Sequence, residues 1–221
     1  MKKILFLILI SVCICCTNTT QTKNNSREQF IKDSIAREQF IKDSIAREQF
    51  IKDSIKQVNE KIINNIQKHF TIKKDEFSNL SWVTPKSAPK YRDSNGVYCY
   101  FKLEDNKASN FRFVFQHYDN DWLFIKELIF NIDGENISIA PNMERDCGYG
   151  GKIWEWCDEN VDYGFNYNLN GDFIKKIANA KNIKVKMNGS QYYQIKQLSD
   201  KQINDIKNAY IYYIALGGTF K

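Results

Sequence analysis

Apolar and polar positions alternate with a period of two along two stretches in the middle of the chain. Val97, Cys99 and Phe101 alternate with Tyr98, Tyr100 and Lys102, and Phe111, Phe113 and Phe115 alternate with Arg112, Val114 and Gln116. That period is the mark of a strand with one face buried. Tyr118-Asp119-Asn120-Asp121 carries turn chemistry, so the second row is expected to fold back against a third strand over residues 122–132. Further strands are expected at 136–140 and 151–157. Ile183, Val185 and Met187 alternate with lysines before Gly189, which predicts a hairpin into residues 192–195. Pro85 and Pro89 disfavour a long regular element between residues 71 and 95.

The period changes to that of a helix in three places. Val58, Ile62, Ile66 and Phe70 make a stripe over residues 57–70. Asn170 is placed to cap a helix over 171–179, with Phe173, Ile174, Ile177 and Ala178 on one face. Ser199 and Gln202 form a capping box, Leu198 and Ile203 stand at the positions of a hydrophobic staple, and Gly217 is a candidate C-cap for the last helix. Together these elements predict an α+β fold over residues 57–221, a mostly antiparallel sheet with two or three packed helices. A two-sheet β-sandwich with peripheral helices is the competing arrangement.

Residues 27–56 follow neither pattern. The decamer Arg-Glu-Gln-Phe-Ile-Lys-Asp-Ser-Ile occurs three times without a mismatch before its last position, at 27–36, 37–46 and 47–56. Each unit is built of helix formers, but ten residues advance a helix by about 1000°, roughly 80° short of three full turns. The apolar positions therefore wind round the rod and do not form the seam of a standard coiled coil. Two readings follow: a helical spacer about 45 Å long, and self-association through Phe30, Phe40 and Phe50. Residues 16–26 are polar and are expected to be a flexible tether.

The first residues change the picture of location. Met1-Lys2-Lys3 precedes an apolar run that ends in Cys13, Cys15 and Cys16, the layout of a secretion signal too short to be a first choice for a spanning helix. A cysteine after a small residue at the end of such a run resembles the bacterial lipoprotein signal. Cys16, preceded by Cys15 and followed by Thr17-Asn18-Thr19-Thr20, fits that role better than Cys13 or Cys15. The expectation is a signal peptide over 1–15 and diacylglycerol on Cys16. The mature chain is then held by its lipid at the cell membrane or the outer membrane, outside the cytoplasm. Export permits disulfides, and for Cys147 and Cys157 two readings stand side by side, a bridge between them or no bridge. The formal charge of +6 shrinks once it is divided, since residues 57–221 carry 22 basic and 20 acidic side chains. No nucleic-acid partner is expected from so balanced a domain.

The order Trp82…Pro85-Lys86…Pro89, Tyr98-Cys99-Tyr100, Asp121-Trp122-Leu123-Phe124, Asp133-Gly134, Ile153-Trp154-Glu155-Trp156 and Leu216-Gly217-Gly218 resembles a group of uncharacterised bacterial secreted proteins and lipoproteins, over about residues 75–218. The resemblance implies an exported location and a single domain, and it supplies no catalytic residues.

Within the chain itself there is no Ser-His-Asp order, HExxH, phosphate-binding loop or dinucleotide fingerprint. No cofactor and no metal are expected. His69 and His117 are the only histidines, and both are read as packing residues before anything chemical. Trp154 and Trp156 share a strand face, and with Trp122 and Tyr192 they are the candidate binding aromatics. The leading expectation is a noncatalytic envelope lipoprotein that presents an interaction or structural domain to an envelope protein or a glycan. The alternative is a surface hydrolase of glycan or peptide that uses carboxylates from residues 144–162, where Asp158, Glu159 and Asp162 are expected in a loop.

Overall fold

The computed structural model of the chain describes residues 22–162 and 168–220. The expected signal peptide over residues 1–15, Cys16 and the expected tether as far as Gln21 lie outside the described residues, as do Tyr163 and Tyr167. The chain divides into two compact units after Ser54.

All three decamers lie on helix α1 (Thr22–Ile66). Pairs four residues apart brace it, Glu38 with Lys42 at 2.8 Å and Gln39 with Asp43 at 2.8 Å among them. Residues 22–26, expected as flexible tether, are instead the first turns of this helix. Extending an existing helix gains a hydrogen bond per residue without a new nucleus.

Among the described residues the second unit holds ten strands in two antiparallel sheets. Strands β1 (Phe70–Lys74), β2 (Leu80–Pro85), β3 (Gly96–Glu104), β4 (Lys107–Asp119), β7 (Glu144–Cys147) and β8 (Ile153–Asn160) form a six-stranded sheet in the order β1-β2-β3-β4-β8-β7. Strands β5 (Glu127–Ile132), β6 (Glu135–Ile139), β9 (Ile183–Asn188) and β10 (Tyr193–Gln197) form a four-stranded sheet in the order β10-β9-β5-β6. Helices α2 (Gly171–Asn179) and α3 (Asp200–Ala215) pack on each other, and α3 packs on β3 and β4. The last turns of α1 join the same core through Ile63 and Ile66. The fold is α+β, with two sheets and three packed helices.

Both expected caps form. Asn170 accepts the amide of Phe173 at 3.0 Å, and Ser199 and Gln202 make the reciprocal capping box. At the far end of α3, Gly217 takes φ 76°, and the amides of Gly217 and Gly218 return to the carbonyls of Ile214 and Tyr213. The two period-two rows meet as β3 and β4, joined by Asp105-Asn106 with both residues at positive φ, the turn whose twist suits a two-residue hairpin. Their inner faces supply Cys99, Phe101, Phe111 and Phe113. Phe113 meets the edges of Phe130 and Phe173 at 5.9 and 5.8 Å, so one aromatic contact joins both sheets and α2.

Several expectations change. The turn at 118–121 does not fold β4 onto its successor. β4 pairs with β3 and β8, while β5 pairs with β6 and β9 in the other sheet. Residues 71–95 contain β1 and β2, and Pro85 stands as the terminal residue of β2, where its missing donor is harmless. The helix expected over 57–70 ends at Ile66, and Phe70 already belongs to β1. Asp158 and Glu159 lie on β8 and not in a loop. Cys147 and Cys157 are both free. Register sets Cys147 opposite Ile153, four residues before Cys157, a run of about 13 Å along a strand, where a bridge needs Cα atoms within about 7 Å.

Candidate binding face

Strand alternation decides which residues of the six-stranded sheet face outward. Among these, Tyr98 and Tyr100 on β3, Arg112 and Tyr118 on β4, Trp154, Trp156 and Asp158 on β8 and Trp82 on β2 are half-buried, while Val114 and Gln116 on the same face of β4 are buried. Register brings them together in rows: Tyr118 is opposite Trp154, Gln116 opposite Trp156, and Tyr98 and Asp158 flank Val114. Trp82 lies 5.4 Å from Tyr100 between ring centroids, and Tyr98 lies 6.4 Å from Tyr100. The result is an aromatic sheet surface left partly open to water.

Charge is set into that surface at two points. Arg112 donates to the Asp158 carboxylate at 2.6 Å and to its carbonyl at 2.7 Å, while the Tyr100 hydroxyl donates to the other carboxylate oxygen at 2.5 Å. Burial and the Asp158 carboxylate push the Tyr100 phenol well above its ordinary range, so it stays a donor. At the second point the guanidinium of Arg92 lies over both indoles, 4.4 Å from the Trp154 ring and 3.9 Å from the Trp156 ring, with Glu144 at 3.3 Å. The segment carrying Arg92 is fixed from below. The Gln116 amide donates to the carbonyls of Tyr91 and Ser94 at 2.9 and 2.5 Å, and Asn95 exchanges two hydrogen bonds of 3.1 Å with the backbone of Tyr118.

Of the four candidate aromatics, Trp154 and Trp156 belong to this face. Trp122 and Tyr192 form a separate pair. The Tyr192 hydroxyl donates to the Trp122 carbonyl at 2.6 Å, and the Trp122 ring stacks on Phe124 at 5.5 Å. Gly189 brings this second cluster together, because a Cβ there would lie 2.0 Å from the Leu123 carbonyl oxygen. Sequence reasoning missed the most informative residue of the first group, Arg92, which sits outside any periodic element. A cation shortly before an aromatic strand was the only signal available.

The acidic side chains of 144–162 are engaged one by one. Glu155, with no exposed surface, accepts the amides of Leu123, Phe124 and Ile125 at 2.8, 2.8 and 2.7 Å and the Arg145 guanidinium at 3.0 Å. Arg145 also donates to the carbonyls of Ile125 and Met143. Glu159 accepts the Asn142 amide at 2.7 Å, and Asp162, which borders a 300 Å³ cleft, accepts the Phe111 amide at 3.1 Å and the Tyr213 hydroxyl. These carboxylates hold loops and strand ends in place.

His117 is on the inner face, opposite Glu155 and fully buried. Its Nδ1 stands 3.2 Å from the Lys196 ammonium, which also donates to Asn95 at 2.7 Å. Its Nε2 has no hydrogen-bond partner, the Asp119 carboxylate lying 3.9 Å away. Burial and the Lys196 charge hold the imidazole below its ordinary value. His69 is exposed in the short turn after α1. Among the described residues no three His, Cys, Asp or Glu side chains converge as a metal would require, and no helix is long and apolar enough to cross a membrane. No protein-family model, no curated protein and no solved structure matches this chain.

Proposed function

We propose that this chain is a lipid-anchored protein of a bacterial envelope, without catalytic turnover, that binds a glycan through the outer face of its six-stranded sheet. The observation that carries the reading is the half-buried pair of indoles, Trp154 and Trp156, with Arg92 lying over them and Tyr98, Tyr100 and the Arg112–Asp158 pair beside them. An indole face stacks on the C–H side of a sugar ring, while hydroxyls around that ring need both donors and acceptors. This surface supplies all three. Cys16, following an apolar run and preceding a polar stretch, supports attachment to a membrane, as does the resemblance to secreted proteins and lipoproteins.

Titrating the purified protein with soluble fragments of envelope polysaccharide, followed by tryptophan fluorescence, tests the binding face. A saturable change is expected, with affinity lowered about tenfold or more by Trp154→Ala or Trp156→Ala, as for a central aromatic anchor. Equal affinity in both variants removes the face from the account. Incorporation of labelled fatty acid, lost in Cys16→Ser, tests the anchor separately.

A further inference from the structure

Phe30, Phe40 and Phe50 are 74%, 73% and 73% exposed on α1, and the isoleucines that follow them are about half exposed or more, Ile31 at 48% and Ile41 at 56%. Around each phenylalanine the sequence builds the same small surface. Three residues before it stands Arg and three residues after it Asp, as in Arg37, Phe40 and Asp43. Those two positions lie about 60° to either side of the phenylalanine on a helix. Four residues before and after it the side chains are small, Ala36 and Ser44 for the middle unit, so another helix has room to approach. The serine needs no outside partner, because Ser34 and Ser44 donate back to the carbonyls of Phe30 and Phe40 at 2.8 Å. Arg37 and Arg47 form no ion pair among the described residues, while the glutamates beside them are taken by Lys42 and Lys52.

This surface is complementary to itself. A two-fold axis through Phe40 exchanges the positions before it with those after it, so two crossed copies set Arg37 of each against the partner's Asp43 with the phenylalanines packed between them. A symmetric contact of this kind is the simplest that identical chains make. We propose that each decamer is a docking unit for a decamer of a second copy of this chain, and that the number of units sets how many neighbours one copy engages. The valency follows from the winding. Successive phenylalanines step about 15 Å along the helix and turn back about 80°, so the three units face three directions. One partner running alongside would need a supercoil of about 68 Å pitch, less than half the usual value. Crossed contacts to different neighbours, each centred on one unit, avoid that strain and leave the assembly open. A membrane surface is the poorer occupant, since a helix lying in it keeps its apolar side chains on one side.

Neither the lipid anchor nor the aromatic sheet face enters this argument. The full chain, carrying the photocrosslinker p-benzoylphenylalanine in place of both Phe30 and Phe50, is irradiated in cells. Adducts at twice, three times and higher multiples of the chain mass are expected. A chain lacking residues 27–46 with the crosslinker at position 50 should stop at twice the mass. In that one-unit chain Arg47→Asp should lower the dimer adduct by at least about fivefold, through like charges set face to face, and adding Asp53→Arg should restore it. Adducts to lipid or to other proteins alone, or a one-unit chain that still forms higher multiples, overturn the proposal. So does a charge exchange that fails to rescue.

Discussion

Along β8 successive residues belong to different worlds. Ile153, Glu155 and Cys157 face the core, while Trp154, Trp156 and Asp158 face outward, and the same division runs through β3 and, except at the buried Val114 and Gln116, through β4. Both faces are aromatic and both carry a carboxylate bound to an arginine. The inner carboxylate, Glu155, is closed off and serves backbone amides. The outer one, Asp158, is bound by Arg112 and Tyr100 at a surface that water still reaches. Composition does not separate the inner face of this sheet from the outer one. What separates them is what lies over the aromatics: inside, α3 and the four-stranded sheet; outside, Arg92 and the segment that carries it, over Trp154 and Trp156.

The largest break in that comparison is expected from truncating one aromatic on each face. Phe113→Ala removes the ring that touches both Phe130 and Phe173 and should cost about 3–5 kcal/mol of stability. Trp156→Ala on the outer face should cost about 1 kcal/mol, with most of its effect on binding. Urea denaturation of both variants measures the difference, and equal losses would mean that the outer face is packed as a core.

Truncating the two carboxylates gives the next effect. Glu155→Ala leaves three amides and Arg145 without their acceptor and should cost about 3 kcal/mol. Asp158→Ala should cost about 1 kcal/mol, since its partners retain access to water. Amide hydrogen exchange localises the cause. Protection at Leu123, Phe124 and Ile125 should fall in the Glu155 variant and persist in the Asp158 variant, and the reverse pattern would refute the assignment.

The same carboxylate explains where sequence reading failed. Residues 122–126 look like the start of a strand, yet Phe124 sits at φ 53° and three consecutive amides turn to Glu155, thirty or more residues away. No local pattern announces a partner at that distance, so the chain was expected to return onto β4 when it crosses to the other sheet. Where stabilisation is local, the expectations held: the caps of α2 and α3, the β9–β10 hairpin and the alternation of β3 and β4 all rest on residues within a few positions of one another. The indoles of the candidate face were legible because alternation fixes their side of the strand. Arg92 was not, since its place depends on Gln116 and Asn95 holding an irregular segment over β8.

The smallest expected effect concerns His117, an ionisable ring on the closed side of the sheet. Lys196 of β10, Glu155 of β8 and Asp119 of its own strand face it, and burial together with the Lys196 charge keeps its affinity for a proton below the ordinary value of 6.5. Above that pH neither the folded nor the unfolded chain carries the proton. As the pH falls through 6.5 the unfolded chain takes it up first, so folding must exclude a proton and stability declines until the folded value is reached. Asp119 and Glu127, both lowered from carboxylate values near 4, act only at more acid pH. His117→Gln keeps an acceptor for Lys196 and does not titrate. Its urea midpoint should therefore fall less than that of the native chain as the pH drops below 6.5. Tyr118, one residue on but facing outward, offers the matching control: Tyr118→Phe should leave the native slope in place. Parallel curves for His117→Gln and the native chain would show that the buried ring exchanges its proton as freely as one in water, and the contrast between the two faces would then not extend to ionisation.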